Sequence, residues 1–176
     1  MLKYFQIGFV SNAGHEIDAL FSEGFVPQAR TDLKRFPFSL PFDWSQNPFS
    51  DRNWMFQLHG WRMLDAFFSR MSSGDVSYIG KVMTDWYEFY VAHPDRTPWY
   101  WYDMSMGLRA SKIAYLLRWC HEENAALPLS MDVLEGLLSV HIQHLTNPDE
   151  LNPGNHGLFQ LNGLMALLDA LGRTGR

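Results

Sequence analysis

Three clusters of side chains in this 176-residue sequence are of types that do chemistry. The turn Asn152-Pro153-Gly154-Asn155-His156-Gly157 brings an amide and an imidazole to the entry of an apolar helix. The amino end of a helix carries partial positive charge and unpaired N–H groups, so a carboxylate placed there would meet the backbone, the Asn155 amide and the His156 ring. The alternative is that Asn155 is a plain N-cap and His156 an exposed first-turn residue. The second cluster is Trp99-Tyr100-Trp101-Tyr102-Asp103, which runs into a helix carrying Arg109. Aromatic faces stack on the apolar faces of sugar rings, and a guanidinium forks onto carboxylates or sulfates, a combination that describes a glycan groove. The same residues would serve a structural end if Trp99 and Trp101 fill the core, Asp103 caps the helix and Arg109 pairs with an acid.

The third cluster, Asp51-Arg52-Asn53-Trp54-Met55-Phe56-Gln57-Leu58-His59, is rich in polar groups for the start of an apolar helix. Gln57 and His59 lie about 200° apart on a helical wheel, so at most one shares the face of Trp54 and Trp61, and Gln57 is the better candidate. His141 and His144 have a spacing that could place two imidazoles on one side of a helix, but no third ligand is near in sequence. They read as core or hydrogen-bonded histidines, and no metal or other cofactor is expected. Cys120 is the lone cysteine. It cannot form an intrachain disulfide and reads as a small buried hydrophobe.

The elements that must position these groups are helical. Residues 1–50 have no sustained period: a short helix around Glu16 to Ser22 gives way to a stretch broken by Pro27, Pro37, Pro41 and Pro48. Its many Phe residues and Trp44 need cover, so it reads as an irregular arm wrapped on a helical body that occupies 51–176. Apolar residues at Trp54, Leu58, Trp61, Leu64 and Phe68 predict one helix over 53–70 with Gly74 as its stop. A second helix carries Ile79, Val82, Met83, Trp86, Phe89 and Tyr90 and ends before Pro94. A third spans about 104–122 on a stripe of Met106, Ala110, Ile113 and Leu117. Ser130 is the N-cap of a fourth, with a face of Leu134, Leu137, Leu138, His141 and Leu145. The fifth follows Asn155 and is expected to bury Leu158, Leu161, Leu164, Met165 and Leu168. No run alternates as a strand would, and the class is all-α.

Composition narrows the function classes. Hydrophobic residues make up 47% of the chain and aromatics 15%, enough for a packed core without a metal or disulfide staple. Fourteen Lys and Arg against nineteen Asp and Glu give a formal charge of −5. With no dense basic cluster, nucleic acid is not an expected partner. No apolar run reaches the roughly 18 residues of a membrane helix, and no cationic region followed by an apolar stretch opens the sequence as an export signal.

In order and content these segments resemble the amino-terminal helical domain of the heparinase II/III-like polysaccharide lyases, which include related alginate lyases. The similarity covers most of the chain from about Phe36. It rests on Trp44 and Pro48 ahead of Arg52 to His59, on Trp101-Tyr102-Asp103-Met104 with Gly107-Leu108-Arg109-Ala110, and on Asn155-His156-Gly157-Leu158-Phe159-Gln160. The resemblance implies an incomplete (α/α) toroid of paired antiparallel helices and β-elimination on acidic, uronate-containing polysaccharide without a metal. It gives Asn155 the neutralisation of the uronate carboxylate, places His156 in the site, and has Arg109 and Tyr102 line the groove with Trp101 and Gln57. Members are usually periplasmic or secreted. The family's catalytic Tyr, further along the toroid, and its β-sandwich domain are not in this chain. The expectation is therefore little turnover from the chain alone, with a further part of a longer lyase or self-association completing it. A non-catalytic glycan-binding or assembly module, and a structural fragment, are the alternatives.

Overall fold

The structure, a computed structural model, describes residues 10–175 and is all-helical, with seven α-helices among the described residues and one isolated antiparallel bridge between Phe25 and Phe36. It divides into two compact units, residues 10–100 and 101–175.

The first unit holds α1 (Ala13–Glu23), an irregular segment over 24–50, α2 (Arg52–His59), α3 (Asp65–Arg70) and α4 (Ser73–Ala92). Its core is aromatic. Trp44, Trp54, Trp61 and Trp86 are all fully buried, and Trp61 meets Trp86 edge-on with ring centroids 5.5 Å apart. The expected wrapping arm is stitched down by polar bonds as well as rings. Gln57 Oε1 accepts from Gln28 N at 2.7 Å while its Nε2 donates to Gln28 O at 3.2 Å. Asp85 Oδ2 accepts from both Trp44 Nε1 and Phe42 N, at 2.8 and 3.1 Å. Buried His59 links arm and body, with Nε2 facing Trp44 O at 3.0 Å and Nδ1 receiving Trp86 Nε1–H at 3.4 Å.

The single helix expected over 53–70 is two. α2 stops at His59, Gly60 N donates back to Phe56 O at 2.8 Å, and Trp61 adopts a left-handed conformation at φ 53° before a tight turn at Arg62–Leu64 leads into α3. A left-handed non-glycine residue costs about 1–2 kcal/mol. Burial of a large ring is worth about as much or more, and the swivel lets Trp54 and Trp61 both reach the core. Gly74 is not the stop either: it lies in the first turn of α4. The stop is Met71 at φ 49°, after which Ser72 and Asp75 form a reciprocal capping box that opens α4.

The second unit holds α5 (Asp103–Glu122), α6 (Met131–Leu145), a tight turn at Pro148–Glu150 and α7 (Asn155–Thr174). Ser130 caps α6 as expected, accepting from Val133 N. Cys120 is buried, and burial raises its thiol pKa. The face of α7 differs from the expectation. Leu158, Leu161, Met165 and Leu168 point outward at 61%, 42%, 62% and 54% exposure, whereas Gly157, Gln160, Gly163, Ala166, Leu167 and Ala170 are buried. The reason is the closeness of α5. A Cβ on Gly107 would sit 2.2 Å from Phe159 O, and one on Gly163 would sit 2.6 Å from Gly107 O. Only small residues fit that contact, so the large ones turn away.

Gly107→Ala should therefore lower stability by about 1–3 kcal/mol, because the added methyl meets backbone that cannot move aside. Gly172→Ala on the same pair of helices, where nothing lies within 4 Å of the new Cβ, should raise stability by about 0.5–1 kcal/mol through helix propensity. Urea unfolding of the two variants checks both signs.

Candidate functional site

The site assembles where the amino ends of α5 and α7 meet in the second unit. The sequence Asn152-Pro153-Gly154 makes the entry to α7: Gly154 N donates to Asn152 Oδ1 at 2.8 Å, and Gly154 takes the N-cap position. Asn155 is thus the first helical residue and not the cap, and it is exposed. His156 follows with its side chain 36% exposed and Nδ1 2.9 Å from Asp103 Oδ2. The same oxygen accepts from Asn152 Nδ2 at 3.0 Å, while Asp103 Oδ1 accepts from Met104 N at 2.5 Å. Asp103, the first residue of α5, is held on both oxygens and in turn fixes the His156 ring.

Behind this pair runs a continuous polar chain. Buried Gln160 accepts from Asn152 N at 2.8 Å and donates to Glu150 O at 2.9 Å. Glu150 Oε2 lies 2.6 Å from His144 Nδ1. The His144 ring stacks on Trp101 at 3.8 Å and 14°, and Trp101 meets the His141 ring edge-on at 5.2 Å. Arg109 closes the chain: its Nε donates to His141 Nε2 at 3.0 Å and its guanidinium carbon lies 5.2 Å over the Trp101 ring. Because His141 Nε2 accepts, its Nδ1 carries the hydrogen and donates to Leu137 O at 2.8 Å. Burial, reinforced by the Arg109 charge, holds the His141 pKa well below the usual histidine value.

The chemistry available at the surface follows. With Nδ1–H given to Asp103, the His156 ring keeps its lone pair on Nε2, and the carboxylate fixes the tautomer and the orientation of the ring. Asn155 adds an amide beside the N–H groups that open α7, of which Gly157 N is already given to Gly154 O at 3.1 Å. An anion with a weakly acidic C–H or O–H fits these groups.

The residues singled out in the sequence fall in different surroundings. Asn155 and His156 share the start of α7, and Trp101 and Tyr102 sit half-buried directly before Asp103. Arg109 is fully buried, inside the polar chain instead of on an open groove. Gln57 lies in the first unit, buried, with its amide bonded to Gln28 and to Asn53 Oδ1 at 2.8 Å. His141 and His144 are hydrogen-bonded, and among the described residues no group of three His, Cys, Asp or Glu side chains could hold a metal. Sequence reasoning missed Asp103 as the partner of His156, and with it Asn152, Gln160 and Glu150. The available signal was glycine: Gly107 and Gly163 fix the register that brings Asp103 to His156.

Neutral burial of His141 has a pH consequence. Its folded pKa is depressed, so the unfolded chain binds a proton below about pH 6.5 that the native chain does not, and stability present above that pH is lost as pH falls toward the native pKa. The slope for this one group is about 1.4 kcal/mol per pH unit. His141→Gln keeps an acceptor for Arg109 but does not titrate. Urea midpoints at about pH 7.5 and about pH 5 should therefore fall more steeply for the wild type than for the variant, and parallel slopes would exclude His141 as the group.

Compared with protein-family models, curated proteins and solved structures, the chain matches none.

Proposed function

We propose that this chain is a helical module that binds acidic, uronate-containing polysaccharide at the amino end of α7, with Asn155 and His156 as the groups that meet the uronate. The observation that carries the reading is an exposed Asn155 next to a His156 whose ring is fixed at 2.9 Å from Asp103. On this reading α5 and α7, which pack with their amino ends together, belong to an incomplete (α/α) toroid of paired antiparallel helices like that of the heparinase II/III-like lyases.

The chemistry asks for these groups. Removing the C5 proton of a uronate pushes negative charge onto its carboxylate, and donors aimed there lower the barrier. The Asn155 side-chain amide and the backbone N–H groups of Asn155 and His156 are such donors. His156 Nε2 is the proton acceptor on this reading, its ring already aligned by Asp103. Tyr102 offers ring surface for a neighbouring sugar, whereas the Trp101 ring is covered by His144 and Arg109 and serves to hold that segment in place. Arg109, buried, acts on the site through His141 and Trp101.

Titration with alginate, heparan sulfate, hyaluronan and chondroitin, against neutral dextran, tests the reading. At least one uronate polymer should bind, and Asn155→Ala should weaken it about tenfold, the worth of one charge-assisted hydrogen bond. Ultraviolet detection of unsaturated uronate in the same mixtures shows whether elimination occurs. No binding to any of the four polymers sinks the proposal.

A second reading, an assembly module, is favoured by a separate observation: the outward stripe of Leu158, Leu161, Met165 and Leu168. A contiguous apolar stripe of this kind promotes association. Sedimentation velocity should then show concentration-dependent self-association that Met165→Lys reverses, and a single monomeric boundary at all concentrations would rule it out.

A further inference from the structure

α7 buries its small residues and shows its large ones, and the shown face has a regular order. Leu158, Leu161, Met165 and Leu168 follow one another at intervals of three, four and three residues. That is the a–d–a–d spacing of two heptads, the seam by which one helix packs lengthwise on another. The side of α7 that faces its own unit is a different one, built on Gly157, Gly163, Ala166 and Ala170. The two flanks of the seam differ in chemistry. On one stand Leu164 and Leu171, half-buried, and on the other stand Asn155, Asn162 and Asp169, all exposed.

These flanks decide what fits the seam. In a parallel two-fold pair the polar flank of one copy meets the leucine flank of the other, so Asp169 would be pressed against leucine and the two helix dipoles would point the same way. In an antiparallel pair each flank meets itself. With the two-fold axis level with Gly163, the centre of the stripe, Leu158 lies against Leu168 of the second copy and Leu161 against Met165. Leu164 then meets Leu164, Asn162 meets Asn162, and Asp169 meets Asn155. Each contact joins like surfaces or sets a carboxylate on an amide, and no two like charges face each other. Asp169 also arrives at the start of the other α7, where the helix dipole favours negative charge. It is available there: Arg118 and Arg173 hold it in place, and its side chain remains 46% exposed.

We propose that a second copy of this chain covers the seam, α7 packing antiparallel on α7 about a two-fold axis level with Gly163. The inference rests on the assembly reading above and fixes the partner, direction and register that the reading leaves open. A contact of this kind uses the same face of both copies and closes at two. One helix face per copy makes an interface below about 1,200 Å², the class of weak, concentration-dependent association.

Spin labels read the direction and register. In a full chain carrying Cys120→Ala, which removes the native thiol, labels are placed through Asn162→Cys, beside the axis, or through Gly172→Cys, nine residues from it; both positions are exposed. At concentrations where sedimentation shows association, the Asn162→Cys chain should give strong short-range coupling. The Gly172→Cys chain should give a separation of about 25–30 Å, twice nine residues at a helical rise of about 1.5 Å. A parallel pair in register would instead bring the Gly172→Cys labels to about the 10 Å spacing of two packed helices. Asn162→Lys sets two like charges beside the axis and should weaken association at least about tenfold, whereas Gln143→Lys, exposed on α6, should leave it unchanged. A monomer at every concentration removes the assembly reading and this inference together. Association past two copies, a short Gly172→Cys distance, or indifference to Asn162→Lys overturns this inference alone and leaves that reading standing.

Discussion

The second unit depends on one close contact, the passage of α7 across α5 at Gly107 and Gly163. Neither glycine is there for a turn, since both lie inside helices, where glycine costs about 0.5–1 kcal/mol against alanine. What they permit is backbone approach: with Cβ distances of 2.2 and 2.6 Å to facing carbonyl oxygens, no side chain fits at either place. The contact fixes the axial register of the two helices. Asp103 begins α5 about one turn before Gly107, and His156, the second residue of α7, lies about two turns before Gly163, so the register sets carboxylate against imidazole. Gly157 does the same at the α7 entry, where a Cβ would meet Asn152 O at 2.0 Å.

That register also explains why the polar chain behind the site can exist in a buried place. A buried charge without partners costs several kcal/mol, yet Arg109 and His141 are both fully buried. The protein resolves the conflict by keeping one of the pair neutral. His141 gives Arg109 a lone pair instead of a second positive charge, and its Nδ1–H is absorbed by the helix carbonyl one turn back. Trp101 then lies between the two imidazoles, edge-on to one and stacked on the other. The aromatic groups before α5 are thus anchored by a polar network and not by apolar packing alone.

How much of this could be read from the sequence varies with the physics involved. Helices α4, α5 and α6 were legible because apolar period, a Pro stop and a Ser cap agreed on them. The break at Gly60–Trp61 was not, because two short helices burying Trp54 and Trp61 in one core leave the same spacing as one long helix. The face of α7 was misjudged for a different reason. Both its faces have helical period, and hydrophobicity favours the Leu and Met stripe, but close approach favours Gly and Ala. In the candidate site, Asn155 and His156 were visible as types at a helix start. Asp103 was visible only as a cap, since its contact with His156 spans 53 residues of sequence and follows from packing that no local pattern encodes.

Electrostatics constrain what an anion at the α7 start can gain. The chain carries −5 overall, so the long-range field opposes an acidic polymer and slows its approach. At 0.1 M salt that field fades beyond about 10 Å, whereas contacts made directly by a helix start and an amide act within hydrogen-bond distance. The nearest carboxylate, Asp103, is turned inward: both oxygens are engaged, one by His156 and Asn152 and the other by Met104 N. Its charge therefore faces His156, Asn152 and the backbone more than an arriving ligand. A site built this way discriminates by short-range geometry, with added salt removing the opposing long-range term before it weakens the local one.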